Sequence, residues 1–316
     1  MAEPRQKFSL FTGVSGAAST PITPRPQAFE QLGVIGCGLM GGSLALAMKR
    51  AGLVRRVVGY SKSPSTTQRA LQMGVIDVEA PSALLAVSGA DVVVIAVPVG
   101  AMGATFKSIR HLVSDKTLLI DVGSTKQDVV LAAKAALGRN ASTFVPCHPI
   151  AGSEMSGVES ARADLYAGKQ VILTPTEETS VAHLERARSL WQALGCQVSL
   201  MSPKAHDDAY AAVSHLPHLI AFAYMQGLLG QAEHAALLGL AGSGFADFTR
   251  IAASEPKLWR DVLLANKTAL LEQSRHFQRA LHQLEVLLNT DNGAELQKTI
   301  AQASAARSAW KPQNSK

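Results

Sequence analysis

From Phe29 onward the chain alternates short β-branched runs with longer stretches whose apolar residues recur at helical spacing. That rhythm belongs to βαβ units, in which each parallel strand is covered by helices on both faces and so reads as a continuous apolar run. Strands are predicted over 32–35, 56–60, 92–97, 118–122 and 143–147, with a short one near 75–77. Beyond them a strand-like 170–174, a helix over 180–194 and a strand-like 197–200 are expected to extend the same sheet. From Pro203 the period changes, and 206–229, 256–289 and 292–308 read as helices with no strand between them. An unbroken helix over 256–289 needs a partner along its length, so this half is expected to form a homodimer.

The fold class expected is therefore α/β, a doubly wound parallel sheet followed by an all-α dimerisation domain. The expected division is a flexible extension over 1–29, the sheet domain over 30–200 and a helical domain over 201–316. Neither an internal repeat nor a low-complexity block interrupts it.

The first strand runs into Gly33-Val-Ile-Gly36-Cys-Gly38-Leu39-Met40-Gly41-Gly42, a G-x-G-x-x-G turn that opens an Ala- and Leu-rich helix. In a Rossmann-type unit such a turn receives a dinucleotide. Gly36 permits the tight turn, Gly38 admits a pyrophosphate, Gly41 brings helix and strand together, and the helix N-terminus supplies positive potential. Leu39 and Met40 in the first helical turn, and Val97 with Pro98 where the 92–97 strand ends, belong to the same expected cofactor site. The 30–200 segment is thus read as a dinucleotide-binding domain. At the end of the second strand, where an acidic side chain would hold the 2′-hydroxyl of NAD, stands Ser61. With Lys62, Ser63 and Thr66 beside it and no carboxylate, the segment suits a 2′-phosphate, so NADP is expected. NAD is the alternative if these are ordinary turn residues.

Composition narrows the classes further. The 316 residues are 47% hydrophobic and 17% charged, which is neither disordered nor collagen-like, and no apolar run reaches the ~18 residues of a membrane helix. The net charge of +6 is modest and partly confined to Lys298, Arg307, Lys311 and Lys316. With aromatics at 5% and no basic stripe, nucleic-acid binding is not expected. Cys37, Cys147 and Cys196 lie far apart and form no CxxC, which fits a reducing cytoplasm rather than a disulfide scaffold or structural zinc site. The first 29 residues hold no signal-peptide core, and Pro21, Pro24 and Pro26 oppose the amphipathic helix of a transit peptide.

Ligands of a doubly wound sheet gather outside the carboxyl ends of its strands. Ser124 follows Asp121-Val-Gly there, and His148 follows Val145-Pro-Cys on what should be the adjacent strand. Such a histidine can take a hydroxyl proton while hydride leaves the same carbon, with Ser124 orienting the hydroxyl or the imidazole. The plainer reading is a turn serine and a histidine stiffened by Pro149. Cys147 should not pair with His148, because successive strand residues face opposite ways.

At this point several segments together resemble the prephenate/arogenate dehydrogenase family of tyrosine biosynthesis. They are 36–42, Asp121-Val-Gly-Ser124-Thr-Lys126, His148-Pro-Ile-Ala-Gly-Ser-Glu154-Met-Ser-Gly157, Ser214-His215-Leu-Pro-His218 following His206-Asp207, and Phe245-Ala-Asp247-Phe-Thr-Arg250-Ile-Ala. The resemblance implies oxidative decarboxylation: hydride leaves the ring carbon bearing the hydroxyl, carbon dioxide leaves the opposite carbon, and a phenol forms. It implies His148 as the base assisted by Ser124, Arg250 as a carboxylate clamp and Glu154 on a loop over the site. His215 and His218 would come from the helical domain, and Trp259 would wall the pocket.

Duller readings stand beside these. His215 and His218 are also spaced as a metal pair, although no third ligand accompanies them and no metal is expected. Equally they are core or interface histidines; Arg250 is a surface ion-pair residue, Trp259 a core residue, and Asp207 and Asp208 caps for the helix that follows. Two rival functions remain. One is a β-hydroxyacid dehydrogenase, against which Lys267 follows Asn266 directly rather than preceding an Asn on the helix. The other is a catalytically idle nucleotide sensor, which would need no Ser124, His148 and Arg250 together. The tail beyond Asn289 is expected to be too short for a regulatory domain.

Overall fold

A computed structural model describes residues 28–151 and 155–311. The parallel sheet is built from β1 (Phe29–Ile35), β2 (Val54–Tyr60), β3 (Val78–Glu79), β4 (Val92–Ile95), β5 (Leu118–Asp121) and β6 (Phe144–Val145). Their spatial order is β3-β2-β1-β4-β5-β6. Between them run α1 (Leu39–Arg50), α2 (Pro64–Gln72), α3 (Ala83–Val87), α4 (Val99–Ile109) and α5 (Gln127–Leu137). Strand order reverses between β1 and β4, which places the ligand crevice of such a fold at the carboxyl ends of those two strands. The apolar runs are continuous because both faces are covered. Along β4, Val92 and Val94 enter one core with Leu32, Val34 and Leu44, while Val93 and Ile95 enter the other with Ile35, Phe106 and Phe144.

Two local expectations shift. The strand predicted near 75–77 lies at Val78–Glu79, because Val75 and Ile76 are spent as buried packing residues before the chain reaches β3. The predicted 143–147 strand divides at Pro146. Having no N–H, Pro146 cannot donate to the ladder, and the N–H of Cys147 goes instead to Asp121 Oδ1 at 2.9 Å.

The chain after that break leaves the parallel sheet. Rather than extending it, β7 (Cys147–Pro149), β8 (Gln170–Leu173) and β9 (Gln197–Leu200) form a separate three-stranded sheet, with α6 (Val181–Ala193) between the last two. Its β7–β8 pair is antiparallel, with His148 opposite Ile172.

The rest is helical: α7 (Pro203–Tyr210), a π-helical turn Ala211–His215, α8 (Leu216–Leu229), α9 (His234–Gly239), α10 (Ser243–Thr249), α11 (Pro256–Ala265), α12 (Lys267–Asn289) and α13 (Gly293–Ala309). The expected single helix over 256–289 breaks at Asn266, which is buried and turns its side-chain amide inward. Nδ2 donates to the Asp207 carbonyl at 2.7 Å and lies 3.1 Å from His215 Nδ1. Many large apolar residues of these helices, among them Val213, Leu240, Leu264 and Leu288, are exposed in the single chain. No helix among the described residues is long and apolar enough to cross a membrane.

Candidate active site

The glycine turn has the shape its spacing requires. Gly36 sits at φ 98°, where a Cβ would fall 2.3 Å from the Ala96 carbonyl, and a Cβ on Gly41 would fall 2.1 Å from the Gly36 carbonyl. Gly38 is the N-cap of α1 and offers no side chain to the first helical N–H groups. A Cβ there would meet nothing within 4 Å, so the turn leaves room for a phosphate in front of unspent donors. These residues fit a dinucleotide pyrophosphate. Leu39 and Met40 follow in the first turn, Val97 packs behind the edge, and Pro98 is the N-cap of α4.

Ser61 ties this turn to the end of β2, its Oγ accepting the Cys37 N–H at 2.9 Å. Lys62 and Ser63 are exposed at the N-terminus of α2, and Thr66 lies half-buried in its first turn. Across the register, Glu79 of β3 pairs with Gly59, a carboxylate near this edge that the reading along β2 missed.

Past β5 and on β7, Ser124 and His148 open into one pocket of about 360 Å³, whose other walls include Tyr210, His218, Arg250 and Trp259. Five expected residues therefore meet across the two parts of the chain. His215 does not join them. It is buried behind the wall, with Nδ1 against Asn266 and its ring edge-on to Trp259. Glu154 lies outside the described residues. A larger cavity of about 580 Å³ beside Phe29, Asp91 and Arg186 is at the amino ends of the strands, away from the ligand crevice.

Two residues, His206 and Tyr210, hold the imidazole of His148. Its Nδ1 lies 2.8 Å from His206 Nε2, and His206 Nδ1 lies 2.8 Å from Asp207 Oδ1. Tyr210 stacks on His206 at 4.6 Å between ring centroids and tilts against His148 at 4.8 Å. Burial first, then the neighbouring His206, Lys126 and His215, pushes the His148 pKa well below that of an ordinary histidine. The ring is therefore neutral at pH 7, the form that can accept a proton. Burial likewise lowers His215, to about 4. Burial would raise Asp207, but bonds from His206 and the backbone N–H groups of Gln127 and Lys126 outweigh it and keep the carboxyl below its usual value.

His206 and Tyr210 were not among the expected site residues. Their sequence signal was present but weak, an i, i+4 pair of rings on one face of α7. Asp207 does not cap the helix that follows. It lies inside α7, whose N-cap, Ser202, accepts the Ala205 N–H at 3.1 Å. Asp207 reaches across instead to the start of α5, where its two oxygens accept the N–H groups of Lys126 and Gln127, each at 2.9 Å. Asp208 makes an ordinary surface pair with Lys204.

Cys147 is fully buried, and burial pushes its thiol pKa up, away from any nucleophilic role beside His148. His218 engages the Ser214 carbonyl through Nδ1 at 2.9 Å and stacks on Trp259 at 3.4 Å. Among the described residues no group of three or more His, Cys, Asp or Glu side chains could hold a metal ion.

The profile of the prephenate dehydrogenase nucleotide-binding domain matches residues 44–200, and that of the prephenate dehydrogenase dimerization domain matches residues 202–302. The chain is 36% identical over 267 residues to the prephenate dehydrogenase of Bacillus subtilis, covering 83% of this chain and 71% of the relative. Among solved structures it resembles Aquifex aeolicus prephenate dehydrogenase in complex with hydroxyphenyl propionate and NAD+, with a TM-score of 0.84, 34% identity and coverage of 89% and 98% of the two chains. Synechocystis arogenate dehydrogenase matches with a TM-score of 0.74 and 28% identity, covering 88% and 99%.

Proposed function

The chain belongs to the prephenate dehydrogenase family, and we propose from that footing that it oxidatively decarboxylates prephenate or arogenate, with NADP as its preferred hydride acceptor and His148 as the base. The observation that carries this reading is the meeting of His148, Ser124 and Arg250 in one pocket at the carboxyl edge of the sheet. The turn from Gly36 to Gly41 would hold a nicotinamide dinucleotide, which when bound would supply the hydride acceptor. His148 Nε2 takes the proton of the ring hydroxyl as that hydride leaves, and returns it when loss of carbon dioxide makes the ring aromatic and leaves a phenol. Ser124 orients the hydroxyl. Arg250 grips a substrate carboxylate, His218 and Trp259 form the wall opposite, His215 supports that wall from behind, and Glu154 belongs to the loop over the site. The exposed apolar helices support a homodimer, and three buried free thiols suit the cytoplasm.

Removing the guanidinium in Arg250→Ala should raise the KM for prephenate about ten- to a hundredfold, the worth of charge-assisted hydrogen bonds, with a smaller change in kcat. An unaltered KM would take Arg250 out of substrate binding. Lys267, the lysine of the β-hydroxyacid rival, is exposed and is not a pocket residue. A sensor would bind nucleotide but turn over neither substrate.

Cofactor choice is tested by kcat/KM with NADP and NAD at saturating prephenate. The hydroxyls of Ser61, Ser63 and Thr66 with Lys62 support an NADP preference of about tenfold or more, since a phosphate gains charge-assisted bonds there. A preference for NAD would assign the ribose to Glu79 and reject the 2′-phosphate site.

A further inference from the structure

We propose that His206 and Asp207 are positioning residues that fix the tautomer of His148, so that its Nδ1 carries the proton and its Nε2 presents a lone pair to the pocket. This rests on the reading of His148 as the base and extends it to the residues behind.

The direction follows from counting donors and acceptors. Both Asp207 oxygens already accept a backbone N–H, from Lys126 at Oδ1 and from Gln127 at Oδ2. An ionised carboxylate can only accept, so His206 Nδ1, 2.8 Å from Oδ1, must be the donor. A neutral His206 then has a bare Nε2. Facing it at 2.8 Å, His148 Nδ1 must donate in turn. The proton of neutral His148 is thereby on Nδ1, and Nε2 is left unprotonated. Run the other way, the chain would set the lone pair of His206 Nδ1 against the carboxylate and put a proton on His148 Nε2, where it would block the base.

The surroundings keep this direction. His206 and Asp207 are 0% and 1% exposed, so water does not substitute for either partner, and Tyr210 holds the plane of the His206 ring. Because Asp207 also caps α5, one carboxylate of the helical domain sets both the ring of His148 and the backbone just after Ser124.

The proton balance agrees with a positioning role. The substrate O–H breaks, an N–H forms on His148 Nε2, and the same proton returns to the phenol oxygen. No proton has to leave through His206. The chain supplies an acceptor for Nδ1–H and spreads the positive charge of the imidazolium toward Asp207.

The direct test is nitrogen NMR on protein labelled with ¹⁵N-histidine, the His148 signals being identified by their absence in His148→Asn. Near neutral pH, Nδ1 should show a protonated nitrogen and Nε2 an unprotonated one. The opposite pattern, or a mixture, overturns the proposal. Kinetics add a second reading. His206→Leu should lower kcat about a hundredfold, with KM and cofactor affinity within threefold. His206→Gln places an amide oxygen near the position of Nε2 and should recover at least tenfold of the loss. Asp207→Asn can donate backward and invert the chain, and should lower kcat by about 10²- to 10⁴-fold. Equal activity of the Leu and Gln variants would reject an acceptor role for His206. If the variants fail to fold, the NMR result on the unaltered chain still decides. Failure of the underlying reading is distinguishable, because His148→Asn would then keep its turnover whatever the tautomer.

Discussion

Replacing His148 by Asn should lower turnover by about two to four orders of magnitude, the usual contribution of a positioned general base, while leaving cofactor affinity within about twofold. Asn is the informative replacement. Its amide nitrogen lies near the position of Nδ1 and can still donate to His206 Nε2, the partner His148 holds at 2.8 Å. What disappears is the far edge of the ring, Cε1 and Nε2, and with it the proton acceptor. The pocket keeps its other walls, and the turn from Gly36 to Gly41 proposed to receive the cofactor lies between β1 and α1, not on β7. Steady-state cofactor reduction reads kcat, and fluorescence titration reads cofactor binding. Turnover near that of the unaltered chain would place the base elsewhere. A parallel loss of cofactor affinity would mean that the substitution had disturbed the sheet edge rather than the chemistry.

The second large effect is on stability. Lys126→Met should destabilise the nucleotide-binding part by roughly 3–5 kcal/mol, because it strands a buried carboxylate without its cation. Lys126 Nζ lies 2.5 Å from Asp121 Oδ2, and both side chains are 0% exposed. The same carboxylate accepts the N–H of Gly123 at 2.8 Å and of Cys147 at 2.9 Å. Asp121 therefore joins the end of β5, which leads to Ser124, to the start of β7, which carries His148. Urea denaturation followed by tryptophan fluorescence should show a lower midpoint for Lys126→Met. The double variant with Asp121→Asn should lose less than the two single losses added, since the stranded charge is then gone. A midpoint unchanged by Lys126→Met would mean that water or another cation reaches Asp121.

Much of this architecture is legible in the residues themselves, for reasons that differ from element to element. The strands of the parallel sheet announce themselves because covering both faces requires every position to be apolar, as at Val92 to Ile95. The glycine turn is legible because a Cβ on Gly36 would fall 2.3 Å from the Ala96 carbonyl, so the position tolerates no side chain. Ser124 and His148 can be brought together on paper because chain order and strand adjacency place both at neighbouring carboxyl ends.

What stays hidden depends on contacts distant in sequence. Thr143 to Cys147 reads as one strand, and only the capture of the Cys147 N–H by Asp121 shows why the sheet stops at Val145. Residues 256–289 keep helical spacing throughout, yet Asn266 breaks the helix because its amide is worth more against Asp207 and His215 than in a helical turn. His206 and Asp207 look like ordinary residues near the start of a helix. Their work is directed sideways, to β7 and to α5.

The decisive measurement is a crystal structure with NADP and 4-hydroxyphenylpyruvate bound. The phenol oxygen should lie about 3 Å from His148 Nε2, with the nicotinamide facing the carbon that bears it. A ring oxygen bound away from His148, or a nicotinamide on the far side of the ring from that carbon, would rule out His148 as the base.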